Sequence, residues 1–383
     1  MRVQLGLTHP TPMQAMAPPL SEAELRQFKE EGYVIKRGYL SAELCAQARD
    51  YVWQRAPDLE TSVGLSGGPM RREDPDTWVG PFTAAPSEPS TGGTSPDGYL
   101  NGNRWIFQCP FGSSELFCDL LPRRCMPIAE QLLGRPLVQP VPDAPFNKAR
   151  WTWERGAGLH GCGMYATVPT REGEGPGREL RRPRTQENIH IDAMACNLGC
   201  VGLIDDVPPD GGGFCVYPRS HRRLHHAVDH AYATSFNEHY YAVTQDIVQN
   251  EPPLVFEGSA GDVIMYHHRM AHGAGLQNFS SKIRMALFYV RPAALPGSPS
   301  LIIINGGCTQ DFVTTDLAAR FPPEYPEPDA RDMTGRGAHG NGPSHGLAIG
   351  DGPPPEDMWQ DWSDELRSVA PEVGALPVRG PKL

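Results

Sequence analysis

The chain has 383 residues, enough to bury a large core, and its 41 glycines and 40 prolines, about a fifth of it, fall short of a disordered polymer. The net charge of -11 disfavours a nucleic-acid-binding protein, because a phosphate backbone is held mainly by clustered Lys and Arg. The sequence contains no run of about eighteen apolar residues, so we expect no membrane-spanning helix.

The first predicted element follows a loose arm at residues 1–20, which has no periodicity. Ser21 and Glu24 have the spacing of a capping box, and Gly32 ends the apolar pattern that follows them. These signals predict a helix over residues 22–31.

Three further segments complete the N-terminal part. Ser41 opens a second predicted helix that runs to about Arg55. Residues 56–104 are rich in Gly, Pro, Ser and Asp and too long for an ordinary connection, so we expect a functional lid or a mobile insertion. A further helical region is predicted over residues 113–133, closed by Gly134.

Short β-type runs follow from about residue 148, separated by Gly, Pro and Asp turns. They lie at residues 188–192, 197–204, 213–217, 253–257, 262–268, 283–290 and 300–305. Runs of this kind are typical of an all-β sandwich or barrel. We therefore predict a mainly β fold with flanking helices.

The C-terminal part has a different composition. Fifteen of the 35 residues from 321 to 355 are Gly or Pro, which predicts a linker without helix. Apolar residues then recur at helical spacing, namely Trp359, Trp362, Leu366 and Val369. We expect an amphipathic helix that docks on the core. The predicted division is a main domain over 21–305 and an extension over 306–383.

Two segments contain candidate metal ligands. In the run that ends at Asp192, a strand would project His190 and Asp192 from one face, because side chains alternate with period two. Further along, a turn at Gly261 and a buried strand are followed by His272, which would meet the first pair across a sandwich. Two histidines and a carboxylate on one face of a metal leave positions for substrate and dioxygen, as in non-haem iron(II) oxygenases.

Arg284 lies at the head of the next apolar strand and needs an anionic partner there. Its forked guanidinium suits the distal carboxylate of 2-oxoglutarate, whose keto-acid end would chelate the iron. The alternative is an ion pair with an Asp or Glu at the sheet edge. Together with the three metal-ligand candidates, we favour the co-substrate.

Four stretches, in this order, resemble the phytanoyl-CoA dioxygenase-like family of 2-oxoglutarate oxygenases. They are residues 28–34 with the helix after Leu40, the His190-Ile191-Asp192 motif, residues 212–221, and residues 261–284. The resemblance covers roughly residues 21–292. It implies a double-stranded β-helix (jelly-roll, cupin-like) core.

The same resemblance implies roles for the candidate residues. His190, Asp192 and His272 become iron(II) ligands, and Arg284 becomes the 2-oxoglutarate anchor. The implied activity is a dioxygenase that oxidises a small-molecule substrate, with release of succinate and carbon dioxide. The halogenating relatives replace the motif carboxylate with a small residue, so the presence of Asp192 implies hydroxylation or a related oxidation.

The chain departs from the family pattern at three places. Ala274 stands where the family often has a hydroxyl residue that helps to bind the co-substrate carboxylate, and Arg219 stands where glycine is usual. An arginine-rich insertion at residues 171–184 precedes the ligand strand. A solvated surface loop is the general interpretation of such a charge cluster, and binding of an anionic substrate group at the mouth of the active site is the functional hypothesis set against it.

The other histidines receive structural interpretations. A solvated surface is expected for His221, His225, His226 and His230. His267 and His268 compete with His272 for the ligand role but lie within the predicted strand, and His268 is the second choice.

Two other functions stay open. One is a cupin-type metal enzyme that does not use 2-oxoglutarate, in which Arg284 is structural, and the other is a binding protein of this fold without turnover. Nine cysteines without a CxxC pair and without a preceding signal pattern favour a reduced, cytoplasmic protein. The end Pro381-Lys382-Leu383 resembles a peroxisomal address, which makes the peroxisome the alternative location.

Overall fold

The computed structural model describes residues 19–55, 70–79, 99–101, 104–107, 114–134, 146–147, 152–153, 163–170, 189–191, 198–228, 238–274, 278–291, 303–306, 309–312, 356–360 and 362–370. Asp192, the insertion at 171–184, the linker at 321–355 and most of the predicted lid at 56–104 lie outside the described residues. Within the described ranges, no helix has the length and apolar character needed to cross a membrane.

Seven α-helices lie in the described part of the chain. They are α1 Glu22–Glu31, α2 Ala42–Arg55, α3 Glu115–Leu120, α4 Pro122–Leu133, α5 Ser220–His225, α6 Glu238–Asn250 and α7 Asp364–Ser368. A short 3-10 helix covers Pro75–Trp78.

The strands pair in antiparallel fashion throughout the described residues. They are β1 Tyr33–Lys36, β2 Tyr99–Asn101, β3 Arg104–Phe107, β4 Phe146–Asn147, β5 Thr152–Trp153, β6 Gly163–Thr167, β7 Leu198–Leu203, β8 Phe214–Val216, β9 Leu254–Phe256, β10 Val263–His267, β11 His272–Ala274, β12 Arg284–Arg291, β13 Ile303–Gly306 and β14 Thr309–Phe312. Antiparallel sheets with flanking helices confirm the predicted mainly β class.

Two sheets contain most of these strands. The large sheet has the order β1-β10-β7-β12-β6-β3-β2, and the small sheet has the order β11-β8-β9. Two further pairs, β13-β14 and β4-β5, complete the set. From β7 to β12 the chain goes from the large sheet to the small sheet (β8, β9), then back to the large sheet (β10), to the small sheet (β11) and to the large sheet again (β12).

The two sheets face each other across an inner core, which contains residues from both. Its buried members are Val201, Leu203, Val207, Phe214, Val216, Phe256, Ile264, Tyr266, Met270 and Ala286. The opposite face of the large sheet packs against helices α1 to α4 and α7 in a helical-side core. The opposite face of the small sheet packs against α5 and α6 in an outer core. The space between the sheets is therefore shielded on both sides.

Helix α1 has the predicted boundaries because its end signals are local. The Ser21 side chain accepts a hydrogen bond from the Glu24 backbone, and the Glu24 carboxylate accepts one from the Ser21 backbone. Gly32 closes the helix in the left-handed conformation, with φ of 83°.

The helical region predicted over residues 113–133 is divided into α3 and α4. The break falls at Leu121, directly before Pro122. Proline has no backbone N–H to continue the hydrogen bonds of a helix, so it begins a new helix more readily than it continues one. Gly134 ends α4, as predicted.

The described part of the C-terminal segment, residues 356–360 and 362–370, packs on the helical-side core. Trp362, Leu366 and Val369 are buried there. The helix itself is shorter than predicted, because Ser363 caps its start by accepting a hydrogen bond from the Leu366 backbone, and both tryptophans precede it. Lys29 of α1 donates to backbone carbonyl groups of this segment, which fastens it to α1.

Candidate active site

His190 and His272 lie side by side. The backbone N–H of His190 donates to the carbonyl of His272 over 3.0 Å, and the reverse bond measures 2.9 Å. Directly opposed residues of an antiparallel pair place their side chains on the same face. Accordingly, the centroids of the two imidazole rings are 4.7 Å apart. The structure thus brings together two of the three predicted metal ligands, although they are far apart in sequence.

Both imidazoles face the space between the sheets. Ile189 and Ile191, on either side of His190, belong to the outer core, and so does Ala271, which precedes His272. Because side chains alternate along a strand, the two histidines point to the opposite, inner side.

The ring of His272 is held from two directions. Its Nδ1 lies 2.9 Å from the carbonyl oxygen of Met270, an arrangement in which Nδ1–H is the donor and the carbonyl is the acceptor. The rings of Phe214 and Tyr266 lie 5.5 Å and 4.9 Å from it. The sequence analysis did not predict a role for these two aromatic residues, since each has the properties of an ordinary strand residue. They give the imidazole an apolar wall.

The donor set fits a divalent transition metal. Two paired imidazoles, one with its ring oriented by a backbone carbonyl, are ligands that iron, zinc or copper accept. Among the described residues alone, no group of three His, Cys, Asp or Glu side chains is placed to hold a metal ion. Asp192, the predicted carboxylate ligand, lies outside those residues.

Arg284 is buried at the same interface, with 1% of its surface exposed. Its neighbours Ile283 and Met285 belong to the helical-side core, whereas Ala286 belongs to the inner core. Alternation therefore places the Arg284 side chain between the sheets. There it donates a hydrogen bond to the carbonyl of Gly212, at the turn before β8. Strand β12 lies between β7 and β6, so Arg284 does not lie at the sheet edge that the alternative interpretation requires.

Asn278 fixes the frame around Arg284. Its side-chain amide donates to the carbonyl of Thr167, at the end of β6, over 2.8 Å, and to the carbonyl of Lys282 over 2.6 Å. The backbone carbonyl of Asn278 accepts a hydrogen bond from the backbone N–H of Thr170 over 2.7 Å. The structural role of Asn278 was not predicted from the sequence, because the run Asn-Phe-Ser-Ser is typical of a turn. Its function in the fold is to fasten the ends of β6 and β12 together.

His267 points away from the histidine pair, and His268 stacks on His267. The ring of His267 stacks on Trp362 of the C-terminal segment, with centroids 5.0 Å apart. The ring of His268 stacks on His267 at 4.4 Å. Because Tyr266 faces the inner core, His267 points to the helical side. This geometry favours His272 over His268 as the partner of His190.

The expectation of a solvated surface for the histidines of α5 is wrong at two positions. His221 is 0% exposed and His225 is 4% exposed, whereas His226 is exposed as expected. His230 lies outside the described residues. The reason for His221 is distant in sequence, since Trp359 of the C-terminal segment covers its ring at 5.7 Å.

Burial keeps His221 and His267 neutral. It lowers the pKa of His221 to about 3, and the charge of Arg222 acts in the same direction. Burial lowers the pKa of His267 well below its usual value of 6.5, and His268 acts in the same direction. The Nδ1 of His267 accepts a hydrogen bond from the Arg269 backbone over 3.0 Å, as a neutral ring can.

Arg219, which replaces a usual glycine, keeps the backbone conformation that favours glycine. Its φ is 68°, in the left-handed region. Its backbone N–H donates to the carbonyl of Glu31 over 2.9 Å, and its guanidinium pairs with the Glu31 carboxylate at 2.5 Å. These contacts hold the turn between β8 and α5 against α1.

Part of the chain matches a known family. Residues 183–286 match the family model described as Phytanoyl-CoA dioxygenase (PhyH). This stretch contains all four predicted site residues, His190, Asp192, His272 and Arg284. The match confirms the resemblance to this family over residues 183–286. No curated protein matches the chain.

Several solved structures are similar to this chain at low sequence identity. The carbocyclase SnoK from nogalamycin biosynthesis is 18% identical, with 78% of this chain and 100% of that chain covered and a TM-score of 0.38. AviO1 from Streptomyces viridochromogenes Tue57 is 17% identical, with 73% and 99% covered and a TM-score of 0.38. EctD from S. alaskensis is 17% identical, with 73% and 80% covered and a TM-score of 0.37. TM-scores of this size do not define a common fold.

Proposed function

We propose that this protein is an iron(II)- and 2-oxoglutarate-dependent dioxygenase that hydroxylates a small-molecule substrate. The observation that carries the proposal is the pairing of His190 with His272 between the two sheets, inside the stretch that matches the dioxygenase family. Buried Arg284 on the facing sheet supplies the anion-binding group that a dicarboxylate co-substrate needs.

We also propose that the core is a double-stranded β-helix. In the large sheet, β6, β12, β7 and β10 are neighbours. In the small sheet, β11, β8 and β9 are neighbours, and the His190 segment bridges to β11 on its other side. Two facing groups of four strands, connected by a chain that crosses repeatedly between them, have the pattern of a jelly roll.

Under this proposal each site residue has a defined task. His190, Asp192 and His272 hold the iron(II), and Arg284 binds the distal carboxylate of 2-oxoglutarate. The assignment of Asp192 depends on its spacing from His190 and on the family match. When bound, the metal and co-substrate activate dioxygen and oxidise a substrate C–H bond, while 2-oxoglutarate is converted to succinate and carbon dioxide.

The residues of the chain orient these groups and exclude water. The Met270 carbonyl accepts a hydrogen bond from Nδ1 of His272 and so orients the ring for metal binding through Nε2. Phe214 and Tyr266 form an apolar wall beside that ring, which keeps solvent from the reacting centre. The Gly212 carbonyl orients the guanidinium of Arg284, and Asn278 holds the strand that bears it.

The substrate proposal depends on the sequence outside the described residues. Five arginines in the insertion at 171–184 favour an anionic group on the substrate, since this segment leads directly into the strand of His190. The presence of Asp192 favours hydroxylation or a related oxidation. Steady-state kinetics of Arg181→Ala with Arg182→Ala would test the insertion, and we expect a salt-sensitive rise in KM with kcat unchanged.

The cellular location and the domain division are proposals as well. We propose a cytoplasmic protein with the peroxisome as the alternative, supported by five free, buried thiols among the described cysteines. We keep the main domain at 21–305 and the extension at 306–383. Fluorescence microscopy of the tagged chain and limited proteolysis would test these two proposals.

The decisive experiment measures succinate. Iron(II)-loaded protein, 2-oxoglutarate and dioxygen are incubated with a panel of small acids, amino acids, terpenoids and acyl thioesters. We expect succinate from the wild type, none from His272→Ala, and near wild-type amounts from His268→Ala. Loss in His268→Ala with activity in His272→Ala would move the ligand assignment. Iron-loaded wild type without succinate would favour a metal enzyme that does not use 2-oxoglutarate or a binding protein.

A further inference from the structure

The co-substrate end of the proposed site lacks one expected group. Ala274 occupies the position where related sequences often carry a hydroxyl that helps Arg284 to hold the 2-oxoglutarate carboxylate. A carboxylate has two oxygens and accepts several hydrogen bonds, so one guanidinium leaves acceptor capacity for a further donor. The donor that takes this role should be buried, polar and close to Arg284.

Thr167 has these properties. It is 0% exposed, and its hydroxyl has no hydrogen-bond partner within the described part of the chain. Buried hydroxyl groups in folded proteins are almost always hydrogen-bonded, and one without a partner lowers stability. Such a group is therefore expected to serve a ligand.

The strand register places Thr167 beside Arg284. In the antiparallel pair of β6 and β12, Thr167 is the residue directly opposite Arg284. Residues opposed in this way have side chains on the same face, about 5 Å apart at Cβ. Ala166 and Val168 belong to the helical-side core, so Thr167 between them points to the inner side, as Arg284 does. The Asn278 amide holds the Thr167 carbonyl and fixes this end of the strand.

We propose that the Thr167 hydroxyl donates a hydrogen bond to the distal carboxylate of 2-oxoglutarate, next to Arg284, and so supplies the hydroxyl that Ala274 does not. This inference rests on the proposed function. It assigns a co-substrate contact to β6, on the large sheet, in place of the usual contact from the strand of His272.

The test measures binding without turnover. Zinc-loaded protein, which cannot carry out redox chemistry, is titrated by calorimetry with 2-oxoglutarate and with 2-oxopentanoate, which has a methyl group in place of the distal carboxylate. Thr167→Val keeps the branched shape and removes the hydroxyl. The matched control is Thr170→Val, because the Thr170 hydroxyl is also buried but donates to the Asn278 carbonyl.

We expect Thr167→Val to raise the Kd of 2-oxoglutarate at least about tenfold, since hydrogen bonds to charged groups are among the stronger ones. The Kd of 2-oxopentanoate should not change, and Thr170→Val should bind both ligands as the wild type does. The Tm of the ligand-free protein should not fall in Thr167→Val, because an unsatisfied hydroxyl is removed, whereas it should fall in Thr170→Val. Weaker binding by a damaged fold is thereby distinguished from loss of a contact.

Two results would overturn the inference, and they differ in scope. If Thr167→Val binds 2-oxoglutarate like the wild type while Arg284→Ala does not, the Thr167 assignment is wrong and the proposed function stands. If the wild type binds 2-oxoglutarate no more tightly than 2-oxopentanoate, the site has no distal-carboxylate contact, and both the inference and the proposed co-substrate are wrong.

Discussion

The free energy of unfolding should fall steeply between pH 6 and pH 5, because two buried histidines are neutral in the folded chain. Burial lowers the pKa of His221 to about 3 and that of His267 well below 6.5. In the unfolded chain both groups return to a pKa of about 6.5 and take up protons in this range. The unfolded state then holds more protons than the folded state, so a lower pH favours unfolding.

The magnitude follows from the number of protons. One proton bound by the unfolded chain alone lowers the free energy of unfolding by about 1.4 kcal/mol per pH unit. Between pH 6 and pH 5 each unfolded histidine is about nine-tenths protonated, so His221 and His267 together give a loss of about 2 kcal/mol. Carboxyl groups whose pKa is lowered in the folded state, such as Asp206 and Asp246, lose their contribution mainly at lower pH, as they become protonated.

Urea unfolding of the chelator-treated protein at pH 6, 5.5 and 5 measures this slope. His267→Asn removes one titrating ring but keeps an acceptor for the Arg269 backbone, so the slope should fall by about half. His226→Asn is the matched control, because His226 is exposed at the end of α5. A wild-type slope below about 0.5 kcal/mol per pH unit, or an unchanged slope in His267→Asn, would refute the reasoning.

Three further substitutions test the turn, the packing and the co-substrate contact. Arg219→Gly should be about 1 kcal/mol more stable than Arg219→Ala, because both variants lose the ion pair with Glu31 but only glycine adopts a φ of 68° without strain. Equal urea midpoints for the two variants would contradict this prediction. Gly199→Ala should lower the free energy of unfolding by about 2 kcal/mol, because the added Cβ would lie 2.2 Å from the Tyr266 ring. An unchanged Tm would be inconsistent with that contact. Arg284→Ala should weaken 2-oxoglutarate binding more than about tenfold, and an unchanged calorimetric Kd would exclude the assigned contact.

Elements with local signals were predictable from the sequence. Helix α1 has a capping box at its start and a glycine at its end, and both signals lie within the helix or next to it. The strand that bears Tyr266 falls within a predicted apolar run, and the strand that bears Arg284 extends one residue beyond its predicted run. The histidine pair was predictable in kind, because strand alternation and the His-x-Asp spacing are visible without a structure.

Features that depend on distant segments were not predictable. The burial of His221 results in part from Trp359 of the C-terminal segment, whose ring lies against it, and no local sequence pattern predicts that contact. The importance of Asn278 and Thr167 depends on the register of β6 against β12. Register is a property of two strands together, so a single strand sequence does not reveal it.

The central claim, that His190 and His272 belong to an iron(II) site that chelates 2-oxoglutarate, is tested most directly by anaerobic absorption spectroscopy. Addition of 2-oxoglutarate to the iron(II)-loaded wild type should produce a metal-to-ligand charge-transfer band, since the keto-acid end chelates the metal. The same addition to His272→Ala should produce no such band, whereas His268→Ala should behave as the wild type does. A wild type that holds iron(II) but develops no band, or a band that persists unchanged in His272→Ala, would contradict the account.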